Sequence, residues 1–361
     1  MEYPCRACEN RKTLIECDCN RLTEFKRKSG VDLLDEVIHL SRKALESDDR
    51  EELRDIWGLL FIFHRKIKGE MEGEWKQLYS MPLALGEFSS AKDNGKIYFG
   101  GGFEPGGVTS SVFKVFDADK QSFQSLGSLP VGLHHTSFAY LDDKIYLAGG
   151  WEDLDFDATD YFYSYDIKND EWTEKENMPH KRAAHRITAY KDSILVFGGV
   201  GESTLEVLKY NTTTSDWKKI AELPQNREHH TIEHFNDKIY LVSGRWDGQN
   251  IASIDVFDFN EESFEQIEIK KGVSGHGSAI IENKLHIIGG EHLREIVAYD
   301  IHQVIDLKTN EIYNATPLPT NRHGHRAYAH NNSIFAFGGA IDAEYNTFET
   351  TTSMVHKWEK N

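Results

Sequence analysis

The sequence predicts a mainly β fold in which six four-stranded sheets form a closed, six-bladed propeller. Three observations support this prediction. Six segments recur at intervals of about 45 to 50 residues, a period typical of propeller blades. Each repeat joins a turn, an apolar strand and a glycine pair. One extra strand in front of the repeats matches a strand that is missing at their end.

Each repeat begins with Asp, Asn or Gly, which suit a tight hairpin turn, and continues with residues that favour β-strands. A pair of glycines then marks a sharp exit or a close backbone approach. The six segments are GKIYFGGG (95–102), DKIYLAGG (143–150), DSILVFGG (192–199), DKIYLVSG (237–244), NKLHIIGG (283–290) and NSIFAFGG (332–339).

After a variable loop, each of the first five repeats carries two large residues seven positions apart, with turn-forming residues between them. The pairs are Phe116 and Phe123, Tyr165 and Trp172, Tyr210 and Trp217, Phe257 and Phe264, and Ile305 and Ile312. The glycine pair followed by this aromatic spacing resembles the kelch repeat family over about 290 of the 361 residues. The resemblance implies a kelch-type propeller, although Ser243 and the Ile305–Ile312 pair depart from the usual pattern.

The last repeat ends before its fourth strand, because Trp358 aligns with Tyr210. The stretch EGEWKQLYSMP (72–82) matches TSDWKKIAELP (214–224) and is left over at the front. We therefore expect residues 71–361 to form the propeller, closed by strand 72–79, since such pairing removes two open sheet edges.

Two further segments precede the propeller. Residues 1–30 contain all four cysteines, Cys5, Cys8, Cys17 and Cys19, which could bind zinc through four thiolates or remain free thiols. Residues 31–70 show the apolar spacing of a helical hairpin. No other cofactor is expected in the propeller.

Composition limits the partners and the compartment. The net charge is −18, and it opposes binding to nucleic acid or to anionic membranes. No apolar run approaches the roughly 18 residues of a membrane span, and the N-terminus lacks the apolar region of a signal peptide. Because no cysteine follows residue 19, we expect a reducing compartment, the cytoplasm or the nucleus.

The resemblance to kelch repeats implies a ligand site at one mouth of the central channel. It assigns Arg182, Arg227 and Arg322 to a pocket, and the alternative is that these arginines only brace the ring. Loops after the glycine pairs flank the same mouth and contribute Phe103, Trp151, Arg245 and Trp246. Histidines recur just beyond the arginines, at His135, His185, His230, His276 and His325. A ring of imidazoles around the channel would suggest a metal, but the resemblance implies a structural role, with hydrogen bonds to the backbone.

These features favour a protein-binding module over an enzyme. Such a module would be a scaffold or substrate receptor that binds an acidic or carboxylate-bearing peptide. The resemblance includes adaptors of ubiquitin ligases, but residues 1–70 lack the longer domain that often precedes the repeats in those adaptors. Two alternatives from the same resemblance are a sialic-acid mutarotase-like isomerase and an actin-binding protein.

Overall fold

The computed structural model describes residues 72–343 and 347–360, together with Lys43, Glu46 and Leu53, which are helical. The described residues from Gly73 onward form one compact unit. The predicted cysteine segment and the rest of the predicted helical hairpin lie outside the described residues. No helix within the described part of the chain is long and apolar enough to cross a membrane.

The described chain after residue 72 consists of strands and their connections. In chain order the strands are β1 (Glu74–Ser80), β2 (Ser89–Asp93), β3 (Lys96–Gly100), β4 (Phe103–Glu104), β5 (Val108–Thr109), β6 (Phe113–Asp117), β7 (Ser122–Ser125), β8 (Ser137–Leu141), β9 (Lys144–Ala148), β10 (Phe162–Asp166), β11 (Glu171–Glu174), β12 (Arg182–Ala183), β13 (Arg186–Tyr190), β14 (Ser193–Phe197), β15 (Val200–Gly201) and β16 (Glu206–Asn211). They continue with β17 (Asp216–Glu222), β18 (Thr231–Phe235), β19 (Lys238–Val242), β20 (Arg245–Trp246), β21 (Gln249–Asn250), β22 (Ser253–Asp258), β23 (Ser263–Glu268), β24 (Gly277–Ile281), β25 (Lys284–Ile288), β26 (Glu291–His292), β27 (Val297–Ala298), β28 (His302–Asp306), β29 (Ile312–Asn314), β30 (Arg326–His330), β31 (Ser333–Phe337) and β32 (Met354–Glu359).

Six antiparallel four-stranded sheets form the six blades of a propeller, as the sequence predicts. From the axis outward, blades 1 to 6 are β2-β3-β6-β7, β8-β9-β10-β11, β13-β14-β16-β17, β18-β19-β22-β23, β24-β25-β28-β29 and β30-β31-β32-β1. The first strand of each blade contacts the first strands of both neighbouring blades, so these six strands surround the central channel. The buried apolar clusters lie between adjacent blades.

The sequence pairs seven residues apart are direct neighbours across the outer hairpin of each blade. Tyr165 faces Trp172 between β10 and β11, and Tyr210 faces Trp217 between β16 and β17. In blade 6 the same position joins the two ends of the chain, where Trp75 of β1 faces Trp358 of β32. The blade is thus completed by an N-terminal strand.

In several blades a glycine of the pair lies against the recurring histidine of the next blade, so the two motifs contact each other between blades. A Cβ atom on Gly149 of blade 2 would lie 2.8 Å from Cε1 of His185 in blade 3, and one on Gly198 would lie 3.0 Å from Cε1 of His230 in blade 4. Both glycines also have positive φ, +51° and +64°, which L-residues rarely adopt. Each histidine ring therefore occupies the space that a larger residue in the preceding blade would need.

Candidate functional site

Six equivalent residues, one per blade, form a ring at one end of the channel. We call them the ring residues: Glu87, His135, Ala184, His229, Gly275 and Gly324. All have φ between 50° and 61°. The backbone N–H of each donates to the carbonyl of the preceding ring residue at 2.7–3.1 Å, and Glu87 closes the circle by donating to Gly324. We call this end of the propeller the ring end, and the opposite end the turn end.

A buried charged cluster surrounds Arg245 at the ring end. Its Nε donates to Glu228 Oε1 at 2.7 Å, and its Nη1 donates to Glu291 Oε1 at 2.5 Å. Nη2 lies 3.3 Å from the ring nitrogens of His229, which also contacts the Glu228 carboxylate. Arg245 is only 7% exposed, so its guanidinium is committed to two acidic neighbours rather than presented to a ligand.

A second ion pair in this cluster joins His323 to Glu87 and Glu291. The Nδ1 atom of His323 lies 3.5 Å from Glu87 Oε1 and 3.4 Å from Glu291 Oε2. Burial by itself would lower the pKa of His323, but the two carboxylates outweigh burial and raise it to about 9. Burial also opposes the charge of Glu87, yet the imidazoles of His135, His323 and His229 hold its pKa well below the usual value.

We expect His323 to make the stability of the fold depend on pH. Its folded pKa lies above the usual 6.5, so its contribution is complete below pH 6.5 and is lost as the pH rises through about 9. The wild type should lose up to about 3 kcal/mol of unfolding free energy over that interval, and His323→Gln should lose much less. Urea unfolding at pH values from 6.5 to 9.5 measures both. Equal pH profiles for the two chains would contradict this prediction.

Glu87, His135 and His229 offer the geometry of a metal site within the described residues. One ligand atom from each lies within 4.8 Å of the others, and all three side chains are buried. Two imidazoles and a carboxylate are a known ligand set for divalent metals. The cysteines that the sequence offers to zinc lie outside the described residues, so zinc binding there stays a prediction.

An aromatic cluster leads from the ring end to the surface of blades 1, 2 and 6. Phe103 stacks on His134 with ring centroids 4.1 Å apart, and Phe348 packs against Phe103 at 4.9 Å. Trp151 also contacts His134 and packs against Phe156, which is 50% exposed. Phe103 and Trp151, both expected at the mouth, therefore lie together but are buried.

The exposed large hydrophobic residues concentrate on the ring-end loops. These loops connect the second and third strands of a blade, directly after the glycine pairs. Within the described residues, six of the seven exposed large hydrophobics lie on them, and the seventh is Tyr79 of β1. The six are Val108, Leu154, Phe156, Leu205, Trp246 and Ile296.

Two of these exposed residues have a strained backbone. Phe156 has a φ of 59° and Ile296 a φ of 53°, in the left-handed region that bulky and β-branched residues rarely occupy. Ile296 is also 57% exposed, so burial does not compensate for its conformation. Strain at exposed apolar residues is characteristic of binding sites rather than of folding requirements.

The ring-end loops are acidic. Their exposed acidic residues are Glu152, Asp153, Asp155, Asp157, Glu202, Asp247, Glu295, Asp300, Asp342 and Glu349. Among the described residues of these loops, Arg294 is the one exposed basic side chain, and it is paired with Asp247 at 3.1 Å. The surface around the exposed hydrophobics therefore attracts cationic groups.

The three predicted pocket arginines, Arg182, Arg227 and Arg322, do not reach any opening. All three are fully buried. Each donates to the carbonyl of the residue sixteen positions later, where the second strand of its own blade ends: Gly198, Ser243 and Gly338 respectively. The structure thus gives them the geometry of the bracing alternative, because a guanidinium satisfies several buried carbonyls at once.

Most of the partners of these bracing arginines are not acidic. Among the described residues, Arg227 alone of the three forms an ion pair, with Asp255 at 2.5 Å, and Asp255 belongs to the same blade. Arg182 bonds instead to Ser203 O, and Arg322 to His356 Nδ1. Burial lowers the pKa of Arg182 and of Arg322 to about 10, so both remain charged at neutral pH.

Some candidate residues occupy structural positions that differ from the positions that the repeat alignment gives them. The alignment groups His135 with His185, but the positive φ of His135 and its ring hydrogen bonds make it equivalent to Ala184. Thr136 therefore takes the histidine position in blade 2. Of the predicted mouth residues Trp246 is the exposed one, at 40%. Glu87 carries no repeat signal that sequence reasoning could use.

Comparison with known proteins gives matches to kelch proteins. The model of the KLHDC2/KLHL20/DRC7 Kelch-repeats domain matches residues 134–339. Kelch-like protein 38 of Danio rerio is 30% identical over 193 residues, which cover 52% of this chain and 32% of that relative. Kelch-like protein 38 of Homo sapiens is 25% identical over 182 residues, covering 49% of this chain and 30% of that relative. The chain thus spans about a third of the length of the curated relatives it matches.

A solved structure shares the fold. The structure of YjhT superposes with a TM-score of 0.66 at 17% sequence identity, covering 77% of this chain and 96% of that chain. This likeness concerns the propeller alone. Together with the six repeated sheets and the domain model that matches more than half of the sequence, the comparisons show that this chain belongs to the kelch-repeat family.

Proposed function

We propose that the chain is a substrate receptor or scaffold that binds a partner protein at the ring end of its propeller. Kelch propellers and kelch-like relatives support a protein-interaction module in general. The finer assignment rests on one observation, the concentration of exposed hydrophobic residues on the loops of this end. Exposed aromatic side chains on loops of a rigid scaffold are the usual anchors of protein interfaces.

The partner should present apolar and basic side chains. The ring-end loops carry a negative charge, since Arg245 is neutralised by Glu228 and Glu291 and the pocket arginines are buried. We therefore propose a partner with apolar and basic side chains in place of the acidic peptide expected from the sequence. Opposite charge would speed the encounter and favour the right partner, while Phe156 and Trp246 would contribute most of the affinity.

The proposal is tested with a triple variant of the ring end: Phe156→Asn, Trp246→Ala and Ile296→Asn. Asn tolerates positive φ, so two of the three changes remove an apolar anchor and relieve backbone strain together. The variant should fold at least as well as the wild type and should lose at least tenfold in affinity for its partners. The measurement is quantitative affinity purification of the full chain, followed by titration with the partners recovered.

Tyr79→Ala is the matched control. Tyr79 is 40% exposed, like Trp246, but it lies on the outer strand of blade 6. The Tyr79→Ala variant should retain all the partners. A triple variant that binds the same proteins as the wild type with the same affinity would refute the ring-end assignment.

A substrate receptor should show two classes of partner. Substrates should be lost in the triple variant, whereas components of a ubiquitin ligase should be retained because they would bind elsewhere on the chain. For a scaffold, the partners lost in the triple variant and those retained would not separate into substrates and ligase components. The mutarotase-like isomerase and the actin-binding protein stay predictions from the sequence resemblance.

A further inference from the structure

The channel widens into a cavity between the ring residues and the turn end. The six innermost strands enclose a volume of about 560 Å³. Near the ring end their first residues, such as Ser89, Ser137 and Thr231, are buried, and exposure increases toward residues such as Lys92 and His234. At the ring end the buried side chains of Glu87, His135 and His229 converge, with one ligand atom of each within 4.8 Å of the others. The cavity therefore opens toward the turn end.

Two arginines project into the inner part of this cavity from opposite blades. Arg186 is the first residue of β13 in blade 3, and Arg326 is the first residue of β30 in blade 6. The equivalent positions in the other blades are small, which leaves room for two guanidiniums: Ser89, Ser137, Thr231 and Gly277. The two positive charges are close enough for Arg326 to lower the pKa of Arg186.

Neither arginine has an acidic partner in direct contact, although the carboxylate of Glu87 is near enough to oppose part of the lowering of both pKa values by burial. Arg186 Nη1 donates to the His185 carbonyl at 2.9 Å, and Arg326 Nη1 donates to the His325 carbonyl at 2.8 Å. Within residues 72–343 and 347–360 neither forms an ion pair. Burial, together with Arg326, lowers the pKa of Arg186 to about 9, so it remains mostly protonated at neutral pH. Most of the donors of both guanidiniums are thus available to a ligand.

The rest of the cavity reinforces its positive charge. Lys92 lies closer to the mouth, and burial raises the pKa of Glu233 to about 7, so this carboxyl is only partly ionised at neutral pH. Glu282 is the other acidic lining residue, and it is exposed at the mouth. A positive cavity in a chain of net charge −18 concentrates small anions against the overall field.

The same charges weigh against a metal at Glu87, His135 and His229. Arg245 lies 3.3 Å from the ring nitrogens of His229. Arg186 is near enough to lower the pKa of both His135 and His229, after the larger effect of burial. A divalent cation there would have two guanidiniums as neighbours, and this arrangement instead favours anions.

We propose that the cavity binds a small oxyanion, a carboxylate or a phosphate, held between Arg186 and Arg326 and admitted from the turn end. The planar fork of a guanidinium matches both groups. This site lies beyond the ring residues from the protein-binding loops, so it adds a small-molecule site to the proposed interaction function and does not depend on it.

The test is titration calorimetry of the full chain with sodium phosphate, citrate and acetate in turn, at constant ionic strength. The wild type should bind at least one of the three saturably, with one site per chain. Preference for phosphate or for the carboxylates identifies which source the site serves. Arg186→Gln and Arg326→Gln should each reduce the affinity at least tenfold, while Arg294→Gln, which removes an exposed arginine at the ring end, should leave it unchanged.

Melting temperatures measured without added anion show whether each variant folds. The two guanidiniums repel each other, so each Gln variant should melt no lower than the wild type. If one fails to fold, Arg186→Lys retains the charge without the fork and should still weaken binding severalfold. No saturable binding of any probe to the wild type, or wild-type affinity in both Gln variants, would overturn the proposal.

Discussion

Deleting residues 71–80 is expected to abolish the cooperative unfolding of the whole propeller. The deletion removes β1, the fourth strand of blade 6, and exposes an edge of β32. It also removes Trp75, whose Nε1 donates to Thr316 O in blade 5 at 2.8 Å, and Gly73, which lies against the Trp358 ring. Thermal melts followed by circular dichroism measure the loss.

A single substitution in the same strand isolates the contribution of the buried side chain. Trp75 is 8% exposed, so Trp75→Ala should cost about 3–5 kcal/mol of unfolding free energy. Lys76→Ala is the matched control, because Lys76 faces solvent and makes only a surface ion pair with Glu359. Its effect should stay below about 1 kcal/mol. An unchanged melt after deletion or after Trp75→Ala would reject closure through β1.

Arg227→Ala is expected to destabilise the fold by about 3–5 kcal/mol without acting on a ligand directly. Arg227 and Asp255 form an ion pair in which both side chains are fully buried. Truncating the arginine leaves the Asp255 charge uncompensated and removes donors from the carbonyls of Leu241 and Ser243. Denaturant unfolding measures the loss.

Arg294→Ala provides the comparison, since Arg294 forms an exposed ion pair with Asp247. It should change the unfolding free energy by less than about 1 kcal/mol. A wild-type stability for Arg227→Ala, combined with loss of bound partners, would restore the ligand role expected from sequence and would count against the bracing role.

Much of the fold could be predicted because every blade repeats the same local geometry of turns and strand pairs. The turn before each apolar strand, the glycine pair after it and the large residues seven positions apart all reflect local geometry. Tyr165 and Trp172 are neighbours across one hairpin, so their spacing alone reveals the pairing. Closure could also be predicted, because the sequence around Trp75 matches that around Trp217.

The site could be predicted only in part, because burial at the axis depends on all six blades together. Arg182 and Arg245 resemble binding residues in sequence, yet one satisfies carbonyls and the other is held by Glu228 and Glu291. Trp246, in contrast, is exposed on its loop as expected. Arg186 has the same residue type as Arg182, but it lies four positions later and projects into the channel.

The amino-acid sequence by itself determined the repeating blade and the strand that closes it, because strand pairing and turns depend on residues close together in the chain or on copies of one motif. Only the tertiary structure decided which charged side chains meet at the axis and which are buried. Glu87, His229 and His323 come from three different blades and are brought together by closure of the ring. Their charges and those of Arg186 and Arg326 are therefore set by neighbours that are distant in sequence.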